Sequence, residues 1–465
     1  MKVHFMGIGG SGLAPIAILA KKMGYEVSGC DISDTTAYSK SLRDNDIDII
    51  LGHDESHVDE ADIIAVTPAI FDYNPDHPEL VKAKEQGKLM TWQEFSGQYL
   101  QKGKKVIGIS GTHGKSTTTS LCGEVLEDAG IDPIVSAGTI IKKWGAGFRY
   151  GQSDYYVVEA DEFNNNFHNY HPYIAVINNL EMDHPEFFKD FDEVKQSFVT
   201  YIHNITDHGY LIVNFDSPSA KEVALSQTDY LKEHDITLIT YSMNDRDTTY
   251  YYAVEGIHPS YTDFVVNDTH HLSVKLIGTH NVQNAMTVFA VSKIFGLDDE
   301  MITKGMMNFT GIGRRLEVKG EFNYQGKEIT IYDDYAHHPS AVIAVLKTLK
   351  QTFPDKKVLA IFEPHQISRL RMFLDEFTEG FALSDEFIMT KTFEGREAHK
   401  HLTPVNFEEV QAHCPKKIYY IEDFNEIVNF VTNGKLDYDI IVVFGAGYSY
   451  RLTNSLVAKF EELTK

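Results

Sequence analysis

Twice in this chain an apolar strand runs into a cluster of glycines that opens a helix, and each occurrence commits its stretch to a parallel α/β layer. The first is Val3–Gly7, continuing as Gly7-Ile8-Gly9-Gly10-Ser11-Gly12 into a helical repeat at Leu13, Ile16, Leu19, Ala20 and Met23 that stops at Gly24. The second is Lys105–Ser110, followed by Gly111-Thr112-His113-Gly114-Lys115-Ser116-Thr117-Thr118. Glycines let the backbone turn tightly and approach an anion, and the helix that follows presents its positive end to that charge. Strands joined through helices imply crossovers and a parallel sheet.

The alternation continues along the chain. Further strands are predicted at Glu26–Cys30, Asp46–Leu51 and Asp62–Thr67, then at Tyr155–Val158, Ile174–Asn178 and Tyr210–Asn214. Tyr250–Asp268 is β-rich and reads as an insertion or sheet extension, and a helix runs from near His280 to Phe295–Gly296. A third series has strands at Ile329–Tyr332, Lys357–Phe362, Glu386–Thr390, Lys417–Ile421 and Asp439–Phe444, with helices over Ser340–Phe353 and Arg369–Phe381. Gln98–Lys105 and Gly311–Arg315 read as joins. With 465 residues, three consecutive α/β domains are expected, over 1–100, 101–313 and 314–465.

Charge narrows the partners. Lys+Arg 42 against Asp+Glu 67 gives −25, which argues against a general basic surface for nucleic acid or acidic membrane but leaves room for a small anion held by local donors. Cys30, Cys122 and Cys414 are scattered and odd in number, with neither a disulfide framework nor metal-ligand spacing, which suits a reducing cytosol. The opening MKVHFMGIGG lacks a basic leader and cleavage site, and no apolar run approaches the length of a membrane span. A soluble cytoplasmic protein is expected.

Chemistry concentrates at predicted strand ends. Asp31, at the end of the second strand, can accept from a ribose hydroxyl; with the first turn it points to a nucleotide diphosphate, the alternative being a tight turn with no ligand. In the second loop Lys115 can reach β/γ phosphate oxygens and the Ser116 hydroxyl can hold Mg²⁺, although Ile109 stands where the strict P-loop has glycine. Glu159-Ala160-Asp161-Glu162 and Asn178-Asn179-Leu180-Glu181-Met182-Asp183-His184 place acids after neighbouring strands; Glu159 and Ser116 suit Mg²⁺, and His184 is a less usual ligand. Asn281 and Asn284 share a helix face and could read an adenine edge or cap the helix. Asp333-Asp334-Tyr335-Ala336-His337-His338-Pro339 and Glu363-Pro364-His365-Gln366-Ile367-Ser368-Arg369 follow strands of the third series, and Arg369 could grip a carboxylate. The adjacent His337 and His338 lack a third metal ligand at suitable spacing.

In this order, GIGGSG, GTHGKSTT, EADE, DH, GTHNVQN, GRR, DDYAHHP and FEPH resemble the Mur ligases over essentially the whole length. The resemblance implies a Rossmann-like UDP-binding domain, a central P-loop ATPase and a C-terminal Rossmann-like domain. It implies an ADP-forming ligase of peptidoglycan synthesis that joins L-alanine to UDP-N-acetylmuramate through an acyl-phosphate, using ATP and Mg²⁺. The alternative within the family is a recycling ligase that adds ready-made L-Ala-γ-D-Glu-diaminopimelate. Small-molecule partners alone are implied, with no nucleic acid or membrane, in a monomer or homodimer.

Carried over, Gly111, Thr112, His113, Gly114, Lys115, Ser116 and Thr117 would surround ATP, Asn281 and Asn284 would bind adenine, and Arg315 and Asp334 would complete the nucleotide site. Ser116 and Glu159 would hold Mg²⁺ with His184 near a second ion; Lys115, Glu159, His184 and Arg315 form the catalytic set. Gly9, Gly10, Ser11 and Asp31 would bind the UDP-sugar, and His337, His365 and Arg369 the amino acid. Phe163-Asn164 after EADE, and Glu363 and Gln366 around Pro364-His365, depart from common patterns. Val199 occupies the position of a carbamylated lysine in several members, and Lys195 is expected to be an ordinary helix residue. Two other classes compete: an NAD-dependent oxidoreductase, which leaves the second loop unexplained, and a non-catalytic ATP-gated switch.

Overall fold

The computed structural model describes all residues except Ala37, Ala69 and Lys435, and all side chains but theirs and those of Asp72, Tyr73, Arg396 and His399. Among the described residues the strands form sheets of five, ten and six strands. In the first, the spatial order is Ile50–Leu51, Glu26–Asp31, Lys2–Met6, Ile63–Val66, Leu89–Thr91, all parallel. Crossovers therefore leave Lys2–Met6 in one direction and later return on its other side. The glycine turn sits at that reversal, where open α/β sheets leave a crevice.

In the second sheet, Lys105–Ser110 lies between Pro172–Ile177 and Tyr155–Glu159, parallel to both. That register sets three strand ends side by side: the one carrying the 111–114 loop, the one carrying Glu159–Glu162, and the one carrying Asn178–His184. Strands Tyr210–Asn214 and Thr237–Ser242 prolong the parallel run, and Ala146–Arg149 closes the far edge antiparallel to Ile134–Ile141. The β-rich stretch forms Tyr250–Ile257 and Thr262–Val266, followed by His270–Val274, and extends this sheet. In the third sheet, Ile440–Phe444 lies between Lys327–Asp334 and Val358–Phe362, parallel to both, and Glu317–Tyr324 pairs antiparallel at one edge.

By contact density the chain divides into two compact units. The first is Met1–Gly256 with Asp263–Lys275 and Asn281–Gly311; the second is Ile257–Thr262 with Leu276–His280 and Ile312–Lys465. Within the first, one apolar core runs from Val3, Phe5 and Ile16 to Tyr156, Phe167 and Tyr201. The second packs an apolar layer on each sheet face: Val342, Leu346, Phe377 and Phe381 on one, Ile427, Leu452, Leu456 and Phe460 on the other.

Three expectations differ in detail. The strand over Asp46–Leu51 shrinks to Ile50–Leu51, because Asp46 takes a positive φ of 54° and its N–H closes a turn on Arg43 O at 2.9 Å. Lys417–Ile421 contributes only Tyr419–Tyr420. The helix over Arg369–Phe381 is two helices, Ile367–Met372 and Leu374–Phe381, bent at Phe373 (φ −114°, ψ 30°). Phe373 N–H still reaches Arg369 O and Phe377 N–H still reaches Phe373 O, so the apolar spacing passes the bend unchanged. Within the stretch read as a join at Gln98–Lys105, Leu100 and Gln101 are buried at the end of the π-helical turn Ser96–Leu100, while Gln98, Lys102, Gly103 and Lys105 are exposed. A Cβ on neighbouring Gly97 would lie 2.0 Å from Asn169 O.

Candidate active site

The loop after Lys105–Ser110 is shaped by two left-handed glycines, Gly111 (φ 130°) and Gly114 (φ 82°), and ends at the start of helix Lys115–Asp128. The end of the neighbouring strand Pro172–Ile177 holds it. Thr112 N–H donates to Asn179 O at 3.3 Å, His113 N–H donates to Asn179 Oδ1 at 2.7 Å, and Asn179 Nδ2 donates back to His113 O at 3.1 Å. Glu181 N–H closes the clamp on Thr112 Oγ1 at 2.9 Å. A loop braced this way presents its remaining donors without reorganising.

Lys115 turns back over the loop. Its Nζ donates to both oxygens of Glu162 (2.9 and 2.8 Å) and to Gly111 O (2.8 Å), with Asp161 at 4.0 Å. Burial works against the Lys115 charge, but Glu162 and Asp161 outweigh it and hold its pKa above the ordinary lysine value. Ser116 Oγ donates to Glu159 Oε1 at 3.2 Å, and the other Glu159 oxygen accepts Gly138 N–H at 2.9 Å. His184, at a positive φ of 55°, groups with Asp161 and Glu162, their ligand atoms lying within 4.8 Å of one another. Burial lowers the His184 pKa, but Asp183 and Glu186 prevail and raise it above the imidazole norm. Hard oxygens beside a phosphate-shaped loop fit Mg²⁺ at Ser116 and Glu159; at His184 the donor set is mixed.

Asn284 occupies a buried network. Its Oδ1 accepts from Thr118 Oγ1 at 3.1 Å, and its Nδ2 donates to Asn281 Oδ1 at 3.1 Å. Asn178 links the same Thr118 (3.1 Å) to Thr287 (2.8 Å). The pair expected to face adenine therefore also ties helix Thr279–Ile294 to the loop helix, and Asn284 packs so closely that a Cβ on Gly114 would sit 2.3 Å from its Oδ1. Asn178, Asn179 and Glu162 lie in the two stretches already singled out after neighbouring strands but carry no expected role there; here they brace the loop, its helix and Lys115.

At the first turn, Gly7 takes φ 83°, and Gly7 and Ile8 N–H both donate to Cys30 O (2.8 and 3.0 Å). Asp31 Oδ2 accepts Gly9 N–H at 2.9 Å, so the acid expected to meet a ribose also holds the turn. Gly10 N–H bonds Gly7 O at 3.1 Å, and Ser11 is exposed at the helix start.

The second unit gathers its own set. Asp334, buried, accepts Leu316 N–H (2.6 Å) and Ala336 N–H (2.8 Å), and burial raises its pKa against the opposing Arg315. Arg315 lies over the Tyr335 ring, 5.2 Å from its centroid. His337 and His365 rings meet edge-on at 5.3 Å, and Arg369, 1% exposed, places Nη1 3.1 Å from His365 Nδ1. Glu363 accepts Ser449 N–H at 3.0 Å, where helix Ser449–Leu463 begins.

Residues 2–98 match the family model "Mur ligase family, catalytic domain", 109–292 the "Mur ligase middle domain" and 314–447 the "Mur ligase, glutamate ligase domain". The UDP-N-acetylmuramate–L-alanine ligase of Caldicellulosiruptor bescii is 36% identical over 457 residues, covering 96% of each chain. That of Alkaliphilus metalliredigens is 31% identical, covering 98% of this chain and 97% of its own. The solved UDP-N-acetylmuramate-alanine ligase of Thermotoga maritima shares the fold with a TM-score of 0.78 at 24% identity, over 99% of each chain. A murein peptide ligase of Psychrobacter arcticus gives 0.70 at 22% identity, over 99% of this chain and 98% of its own.

Proposed function

The chain belongs to the Mur ligase family, and from that premise we propose how its residues divide the work of an ATP-dependent ligase. It joins L-alanine to UDP-N-acetylmuramate in peptidoglycan synthesis. A carboxylate does not acylate an amine at neutral pH, because oxide is a poor leaving group. Transfer of the ATP γ-phosphoryl group to the muramyl carboxylate gives an acyl-phosphate; the alanine amine attacks its carbonyl and phosphate departs. Catalysis is then mainly positioning and charge neutralisation.

The observation that carries this reading is the adjacency of three strand ends, which brings Lys115, Ser116, Glu159, Glu162 and His184 to one braced loop. Gly111–Thr117 cradle the phosphates, and Lys115 exchanges Glu162 for the transferring group. Ser116 and Glu159 hold Mg²⁺, with His184 near a second ion; bound Mg²⁺ offsets phosphate charge. Asn281 and Asn284 serve adenine, Arg315 and Asp334 the nucleotide, His337, His365 and Arg369 the amino acid. Gly9, Gly10, Ser11 and Asp31 serve the sugar nucleotide. Domains over 1–100, 101–313 and 314–465 divide these tasks in a cytoplasmic monomer or homodimer without nucleic-acid or membrane partners.

The test is phosphate release from ATP with Mg²⁺ and UDP-N-acetylmuramate. Release is expected with L-alanine and not without an amine; faster turnover with L-Ala-γ-D-Glu-diaminopimelate would assign the chain to recycling instead.

A further inference from the structure

Beneath the first glycine turn lies a second cluster of polar side chains that the ligase chemistry does not use. His4 comes from strand Lys2–Met6, Cys30 from the adjacent strand Glu26–Asp31, His57 from helix His57–Glu60 and Glu79 from helix Pro78–Glu85. His4, Cys30 and Glu79 are at most 2% exposed. The His4 ring is oriented by Ser28, whose Oγ lies 2.9 Å from Nδ1; its Nε2 points into the cluster, buried and without a hydrogen-bond partner. Glu79 Oε1 lies 3.4 Å from His4 Nε2, 3.3 Å from His57 Nδ1 and 3.6 Å from Cys30 Sγ. One ligand atom from each of the four residues can be chosen so that all lie within 4.8 Å of one another.

Buried polar groups are normally paired, and these separations leave His4 Nε2 without a partner and His57 at the long end of the hydrogen-bond range. The three that meet at Glu79 Oε1 match edges of a tetrahedron around an ion: metal–ligand bonds of roughly 2.0–2.3 Å give ligand–ligand edges of about 3.3–3.7 Å. We propose that His4, Cys30, His57 and Glu79 form a buried site for one zinc-like divalent ion. Two neutral imidazoles, one thiolate and one carboxylate supply the borderline-soft donor set that favours Zn²⁺ over Mg²⁺ or Ca²⁺. The two negative ligands balance the ion's charge.

Binding displaces the Cys30 thiol proton, and His53, with Nδ1 2.9 Å from the sulfur, stands ready to receive it on its way to solvent. The His53 and His57 side chains are 17% and 14% exposed, which gives the ion a way in. Its consequence reaches the turn above. Cys30 O holds the Gly7 and Ile8 N–H groups and Asp31 holds Gly9 N–H, so an ion on Cys30 would stiffen the support of the first glycine turn.

The test uses the full chain, stripped with chelator and titrated with Zn²⁺, and separately with Co²⁺ as a spectroscopic substitute. Expected are one ion per chain, a near-ultraviolet thiolate-to-cobalt charge-transfer band with the intense visible bands of a four-coordinate ion, and a melting temperature raised by Zn²⁺ and not by Mg²⁺. Cys30→Ser should abolish the charge-transfer band. His57→Asn, at the rim, should keep the metal-free melting temperature and weaken zinc binding about tenfold or more. Absence of zinc uptake by the wild type, or a charge-transfer band that survives Cys30→Ser, overturns the proposal. Should Cys30→Ser not fold, unchanged zinc affinity in His57→Asn overturns it equally.

Discussion

Lys115 grips both oxygens of Glu162 in a pocket where neither side chain sees much water, 13% and 3% exposed. Removing one partner of a buried pair strands the other charge, at a cost of roughly 3 kcal/mol. Lys115→Met should therefore lower the denaturant midpoint as well as cut amine-dependent phosphate release about a hundredfold or more. Lys115→Met/Glu162→Gln should regain most of the stability and none of the turnover; equal stability of the single and double variants would refute the pairing. His280 makes a pH prediction. Burial first, and then Arg315, depress its imidazole to about 4, whereas the unfolded chain titrates near its ordinary value of 6.5. A depressed folded pKa means the stabilising share of neutral His280 is complete above 6.5 and is lost as pH falls toward 4. Between pH 7 and about 4.5 the wild type should lose about 2 kcal/mol more than His280→Gln. Parallel urea-midpoint curves for the two would count against it.

At the scale of elements, the loop between Lys105–Ser110 and Lys115–Asp128 depends on Gly114. An alanine there must hold φ 82° and also push against Asn284 Oδ1, 2.3 Å from its Cβ. Gly130 has a similar φ of 78° with open space around it. Gly130→Ala should cost about 1 kcal/mol of stability and leave ATP affinity alone, while Gly114→Ala should lose both, read by calorimetric titration. These elements also show what the sequence could convey. Lys105–Ser110 and Tyr210–Asn214 were legible to the residue, because a strand buried on both faces is an unbroken apolar run. Ile50–Leu51 was not, since both its residues lie exposed at an edge and no burial pattern marks its limits. The glycine loop announced Lys115 and Ser116 through local spacing, but Glu162 and Asn179 meet them only because of sheet order, which no local spacing encodes. The His4, Cys30, His57 and Glu79 cluster was hidden for the same reason: four elements contribute one residue each.

For the whole molecule, the second unit carries an apolar layer on each face of its six-stranded sheet, the arrangement of a self-sufficient domain. Ile312–Lys465 expressed alone should melt cooperatively by circular dichroism; a non-cooperative profile would show that its cores need the rest of the chain. Beyond the two glycine clusters of the first unit, a shorter glycine turn, Gly445-Ala446-Gly447, joins Ile440–Phe444 to Ser449–Leu463. That turn comes with its own resident anion, since the Glu363 carboxylate already takes the Ser449 amide. An incoming phosphate would first have to evict a tethered competitor that never diffuses away.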